Sequence, residues 1–269
     1  MIKLLFYPKK GIKLGEKIPR ISSTLKDVTV DLNNLNYYNK VCHLKNSPNL
    51  PILYPHVMAG VSQLNLFSHP EFPIKMLGTI HMANKIVQTK PLPIVGNYQI
   101  KSRISNERYF NKGIEFDLIT NVFLQDEEVW TETSTYRKNC KFQTNQTYCS
   151  TINLEKLDDF KTVDQWNISW KLGKQYATIS KDFNPIHLSM VLAKAFGFKK
   201  DLAHGFCVLA QAMGKIHRIP IWPCTLDVIF KGPSYMGRNI KLVHNPKNKE
   251  RFDLYAENNH RPVICFKLT

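Results

Sequence analysis

No stretch of this 269-residue chain approaches the roughly 18 consecutive apolar residues of a membrane-crossing helix, so no membrane span is expected. No two cysteines form a Cys-x-x-Cys pair. Cys42, Cys140, Cys149, Cys207, Cys224 and Cys265 are scattered, mostly among apolar neighbours, the pattern of reduced and largely buried thiols in a cytoplasmic protein. Zinc-finger spacing and RNP-like aromatic motifs are missing too. Acidic residues are scarce: 21 Asp+Glu face 37 Lys+Arg, a net charge of +16. The basic residues never gather into a block of five or more, which favours a generally basic soluble protein over a nucleic-acid binder; a phosphorylated substrate or an acidic carrier protein would use the same field. The opening residues Met1–Lys10 have too short an apolar run for a secretory signal. With six Lys/Arg and one Glu in the first twenty residues, this segment reads as a basic arm.

What is present is a repeated order of elements. In the second half, a helix signal from His204 to His217 precedes a strand at Thr225–Phe230. A Gly/Pro break at Gly232–Gly237 follows, then a strand at Asn239–His244 and two alternating runs, Arg251–Glu257 and Pro262–Leu268. In the first half, an apolar helix at Tyr54–Phe67 precedes strand candidates at Thr79–Val87, Asn97–Ser105, Ile114–Val122 and Glu127–Tyr136. Period-two alternation bounded by Gly, Pro and Asn supports strands throughout. A helix followed by antiparallel strands buries itself by lying across a curved sheet, which predicts an α+β fold built twice. The join falls in the polar stretch Cys149–Lys161, giving units at 1–155 and 156–269, and Trp166–Trp170 is the strand that opens the second.

The chemistry concentrates in Tyr176-Ala-Thr-Ile-Ser180-Lys181-Asp182-Phe-Asn184-Pro185-Ile-His187, followed downstream by His204-Gly205. Asn184-Pro185 is a helix start: Asn caps, and Pro suits the first helical position. That places His187 near the third helical position and Asp182 just before the cap, so a carboxylate and an imidazole can share one mouth. Read singly, Asp182 is an ordinary turn residue and His187 a satisfied histidine. Read with the His-Gly helix start, they form an acid/base pair beside a helix N-terminus whose free amides can hold developing negative charge. Glycine at 205 lets a substrate approach that backbone, or simply lets the helix pack closely.

These residues resemble the MaoC-like dehydratases, which include the (R)-specific enoyl-CoA hydratases. The likeness rests on Tyr176, Ala177, Ser180, Asp182, Asn184, Pro185, His187, Ala193, Ala195, Phe196, Gly197, Phe198, Ala203, His204 and Gly205, and covers about forty residues. It implies a double hot-dog fold, with the first unit degenerate because it has no Asp-x-Asn-Pro-x-His. Its helix starts at Pro55-His56-Val57 instead. It implies reversible addition of water to a 2-enoyl thioester of CoA or acyl carrier protein, giving the (R)-3-hydroxyacyl thioester. Asp182 and His187 would share the water and Gly205 N–H would hold the thioester oxygen, with Asn184, Ser180 and His204 as substrate-binding support. No cofactor or metal is expected, and no ligand cluster is visible in the spacing. Homodimerisation is left open. One departure stands out: the family places Gly where this chain has Lys181, so a positive φ there predicts strain or a shifted loop. That departure keeps a non-catalytic acyl-binding partner subunit as an alternative, alongside a hot-dog thioesterase.

Overall fold

The computed structural model describes residues 8–147, 152–216 and 221–269. Residues 1–7 of the basic arm, Cys149 and the predicted helix end at His217 lie outside the described residues. In the first half come strand β1 (Ser22–Val28), helices α1 (Leu32–Cys42), α2 (Tyr54–Met58) and α3 (Gly60–Ser68), then strands β2 (Thr79–Gln88), β3 (Tyr98–Phe110), β4 (Gly113–Leu124) and β5 (Glu127–Asn139). The second half runs through β6 (Lys161–Asn167), α4 (Leu172–Ser180), a 3₁₀ turn (Pro185–His187), α5 (Met190–Ala195) and α6 (Gly205–Lys215). It ends with β7 (Cys224–Phe230), β8 (Asn239–His244), β9 (Arg251–Ala256) and β10 (Ile264–Leu268).

The ten strands among the described residues form one sheet in the order β1-β3-β4-β5-β2-β7-β10-β9-β8-β6. Read outward from its middle, one side runs β2-β5-β4-β3-β1 and the other β7-β10-β9-β8-β6. The two sides therefore have the same connections. They meet at an antiparallel seam in which Ala83 faces Ile229 and the pairing continues to Gln88 opposite Cys224. This is the double hot-dog fold: a strand, a helical region and four more strands, executed twice in one sheet.

The helix α6 shows why the sequence folds this way. Seven consecutive residues, Phe206 to Ala212, are buried. A helix covered on every side has no polar face to show, which the run Phe-Cys-Val-Leu-Ala-Gln-Ala reflects. Its one polar side chain, Gln211, is fully partnered: Trp166 Nε1 donates to its Oε1 at 3.0 Å, and its Nε2 donates to the Val41 carbonyl at 3.1 Å. Leu226, Val228, Ile264 and Phe266 from β7 and β10 share one buried cluster with α6 and with Leu35 and Tyr38 of α1. The helix α1 is closed by Asp31, whose carboxylate accepts the Asn34 amide at 3.0 Å, and it ends at His43 in the left-handed region.

Several expectations are corrected here. The apolar helix of the first half is two pieces, α2 and α3, meeting at Ala59. The strand opening the second half is Lys161–Asn167, not Trp166–Trp170. Its pairing with β8 ends at Asn167 opposite Asn239, the Ile168 amide makes one last bond to Arg238, and Ser169 already begins the turn into α4. Strand β1 and helices α1, α4 and α5 had no counterpart in the sequence reading. No helix among the described residues is long and apolar enough to cross a membrane.

Candidate active site

The site is assembled on the chain leaving α4. Lys181 closes that helix in the left-handed conformation, φ 62°, ψ 13°, and its amide donates to the Ala177 carbonyl at 2.9 Å. The loop therefore has not shifted to avoid a positive φ, as one of the two expectations had it; the lysine adopts the conformation glycine would take. The Ser180 hydroxyl donates to the Tyr176 carbonyl at 2.9 Å and accepts the Asp182 amide at 3.3 Å. Asp182 Oδ1 accepts the Asn184 amide at 3.0 Å, and Asn184 Oδ1 accepts that of Ile186 at 3.4 Å. Each short polar side chain thus closes the next backbone turn, a local economy that Ser, Asp and Asn perform well. The 3₁₀ turn then lies so close to α4 that a Cβ at Gly173 would stand 2.0 Å from the His187 carbonyl oxygen. Glycine is obligatory at that contact.

His187 Nδ1 lies 2.9 Å from the Leu202 carbonyl, which can only accept. The proton is thereby placed on Nδ1, and Nε2 is left with its lone pair. Burial pushes this imidazole below the ordinary histidine range, against an opposing pull from Asp182 and the Leu202 bond. The Asp182 side chain is 52 % exposed and lines the cavity. Enclosure by protein alone would raise its pKa, but the imidazoles of His204 and His187 and the Asn184 amide outweigh this and hold it below the usual carboxylate range. At neutral pH the site therefore presents an ionised carboxylate and a neutral imidazole.

His204 is the N-cap residue of α6 and is almost fully buried. Its Nε2 donates to the Asp182 carbonyl at 3.0 Å, and its ring stacks on His187 with centroids 3.8 Å apart. Burial and the neighbouring His187 push it down to about 3, so it stays neutral throughout the working range. Gly205 opens α6, where the first amides have no intrahelical acceptor. A Cβ at this position would lie 2.7 Å from the Phe230 ring, so the glycine admits that ring as well as any ligand.

Asp182, Asn184, His187, His204 and Gly205 line one cavity of about 710 Å³, as does Ser180. The opposite wall comes from the first half: His56, Gln63, Leu64 and Phe67 of α2 and α3, residues 76–82 and Tyr136. His81 is pushed down to about 4 by burial and by His56.

A family model described as a MaoC-like domain matches residues 158–254. That match lies within the second half of this chain. A curated relative, 3-hydroxyacyl-thioester dehydratase X of Mycobacterium tuberculosis, is 26 % identical over 202 residues, 75 % of this chain and 71 % of that protein. The crystal structure of HtdX from the same organism superposes with a TM-score of 0.78 at 23 % identity, covering 92 % of this chain and 99 % of that one. A MaoC-like dehydratase from Phytophthora capsici gives 0.72 at 16 % identity, over 94 % and 96 % of the two chains. A conserved hypothetical protein of M. tuberculosis described as a double hot-dog gives 0.59 at 9 % identity, over 98 % and 96 %.

The matched segment holds all six residues singled out from the sequence, and the structure gathers them around one space. Two points were not legible there. First, the expectation of no ligand cluster is corrected: Asp182, His187 and His204 each offer one ligand-type atom, and these lie within 4.8 Å of one another. They are the group able to hold a cation among the described residues, and the chain separation of 17 between His187 and His204 hid them. Second, His56, Gln63 and His81 of the facing wall gather around the buried Glu132, all of them outside the matched segment.

Proposed function

We propose that this chain is an acyl-thioester hydratase and dehydratase, adding water reversibly to a 2-enoyl thioester carried by CoA or acyl carrier protein and giving the (R)-3-hydroxyacyl thioester. The observation that carries the reading is a carboxylate and an imidazole, Asp182 and His187, lining one cavity with Gly205, whose amide begins α6 and has no intrahelical acceptor. In hydration, the pair takes one proton from a water molecule as its oxygen forms the bond to C3. The C2–C3 π electrons move toward the thioester, whose oxygen gains charge and is held by Gly205 N–H. The captured proton then passes to C2, which restores the thioester carbonyl and returns the pair to its starting state. Dehydration runs the same steps backward: the pair removes the C2 proton and hands it to the departing hydroxyl. General acid/base assistance of this kind contributes about 10²–10⁴-fold, and a well-aimed amide at the oxyanion about 3 kcal/mol.

Two features of the structure support activity. Lys181 keeps the left-handed turn at the end of α4, so the chain runs on from it to Asp182. The Nδ1 bond to Leu202 also fixes the tautomer that leaves Nε2 basic. The measurement is the loss of conjugated-thioester absorbance when the protein is mixed with crotonyl-CoA and with longer enoyl thioesters on both carriers. Turnover that depends on Asp182 is expected. No turnover of any member of that panel would overturn the reading.

A further inference from the structure

We propose that His56, fixed in place by Glu132, is a polar subsite for a hydroxyl on the acyl chain, so that the preferred substrates are hydroxylated acyl thioesters. The proposal rests on the thioester reading above and names the substrate class within it.

Glu132 projects from β5 and its side chain has no exposure to solvent. His56 Nδ1 lies 2.9 Å from each of its oxygens; Asn84 Nδ2 donates to Oε1 at 2.8 Å, and Gln63 Nε2 to Oε2 at 3.4 Å. Burial pushes the carboxyl up, but His56, Asn84 and His81 together hold it below its ordinary range, so it is ionised. A carboxylate accepts and does not donate, so Nδ1 of His56 carries a proton and the ring cannot turn over. Its face is clamped as well: the ring stacks on Phe206 with centroids 4.1 Å apart and planes 17° from parallel.

What is left is Nε2. It has no hydrogen-bond partner among the described residues, the ring is 16 % exposed, and His56 lines the cavity. Phe206 directly follows Gly205, so this nitrogen stands beside the path an acyl chain takes away from a thioester held at Gly205. Leu64, Phe67 and Phe230 line the same cavity. A plain hydrocarbon chain would strip water from Nε2 and return nothing, whereas a hydroxyl on the chain would donate to its lone pair. Sites built to hydrogen-bond a substrate oxygen discriminate far more strongly than apolar pockets do. A carboxylate buried this completely is costly to maintain, and an imidazole turned so that its Nε2 lone pair is offered as an oriented acceptor at a binding wall is what it supplies here.

The test compares 2-enoyl-CoA thioesters bearing a hydroxyl at C4, C5 or C6 with their unsubstituted parents. For the wild-type protein, kcat/KM at one of these positions should exceed that of the parent by about tenfold or more, mainly through KM. His56→Phe, which keeps the stacked ring, should bring the ratio to about one. Because that variant leaves Glu132 without its main partner, His56→Gln, whose amide can still donate to Glu132, is measured beside it and should reduce the ratio. Equal kcat/KM for parent and hydroxylated chains at every position in the wild type would overturn the proposal, as would a preference unchanged in both variants. If the wild type turns over none of these thioesters, the dehydratase reading falls, and calorimetry with the saturated hydroxyacyl-CoA and its parent decides the subsite alone. Tighter binding of the hydroxylated chain supports it and equal affinity overturns it.

Discussion

Each half of the molecule brings a carboxylate to an imidazole, and the two partnerships differ in one respect. In the first half, Glu132 is sealed and touches His56 directly at 2.9 Å. In the second, Asp182 Oδ2 stands 3.7 Å from His204 Nε2, too far for a hydrogen bond, and its side chain is open to the cavity. A carboxylate in full contact with its partners has no lone pair to offer a reactant and serves to fix geometry. A carboxylate kept slightly apart and open to the cavity keeps a lone pair available to a reactant. The closed pair belongs to the architecture of the wall and the open one to chemistry.

The comparison can be broken most sharply at its two acids. Glu132→Ala should cost about 3–5 kcal/mol of folding stability by denaturant titration, because it leaves a buried imidazole without its carboxylate. Asp182→Asn should lower turnover about 100-fold or more while changing stability by less than about 1 kcal/mol. His187→Ala should match it in turnover. If Asp182→Asn proved the more destabilising and Glu132→Ala left the fold intact, the division between the halves would be wrong.

A smaller effect concerns Gly205. Gly205→Ala should lower activity by about tenfold, since the new methyl meets the Phe230 ring and moves the first turn of α6. The double variant with Phe230→Leu separates the causes. Recovery means that packing set the loss; no recovery means that approach to the amide did.

The halves also contribute a shared pH response. His81 in the first and His204 in the second are pushed to about 4 and about 3, below the 6.5 of an unfolded histidine. The unfolded chain binds these protons first as pH falls, so stability is fully present above 6.5 and drains away from 6.5 toward 4. The melting temperature should decline across that window, and His81→Asn should flatten the decline. The smallest expected change is at Lys181, where Lys181→Gly relieves a left-handed lysine but adds unfolded-state freedom. A net gain of about 0.5 kcal/mol is expected by thermal unfolding, with activity retained.

The parts of the fold that could be read from the sequence are those whose signals are local. Asn184-Pro185 sets the 3₁₀ turn and puts His187 at its third position, and Asn239–His244 is a strand over the predicted residues. The helix α1 escaped notice because its residues, Leu-Asn-Asn-Leu-Asn-Tyr-Tyr-Asn, have low helix propensity; packing of Leu35 and Tyr38 overrides it. Strand β1 is a half-exposed edge whose alternation is faint. Within the candidate site, the Asp182–His187 segment carries its own turn chemistry and was visible, whereas His56 and Glu132 are 76 residues apart and meet only through the sheet. One clue existed: on β5, Trp130, Glu132 and Ser134 share the buried parity, so the charge at 132 was destined for the interior. The partner could not be named without the register that brings it there.

The seam between β2 and β7 has a consequence for anyone dividing this protein. A cut between Asn139 and Lys161 would leave each fragment with a bare run of amides and carbonyls, from Ala83 to Gln88 on one and from Cys224 to Ile229 on the other. Each fragment by itself becomes a template for indiscriminate strand addition. Co-produced, the two supply each other's missing border, so complementation in trans is the way to make the halves separately addressable.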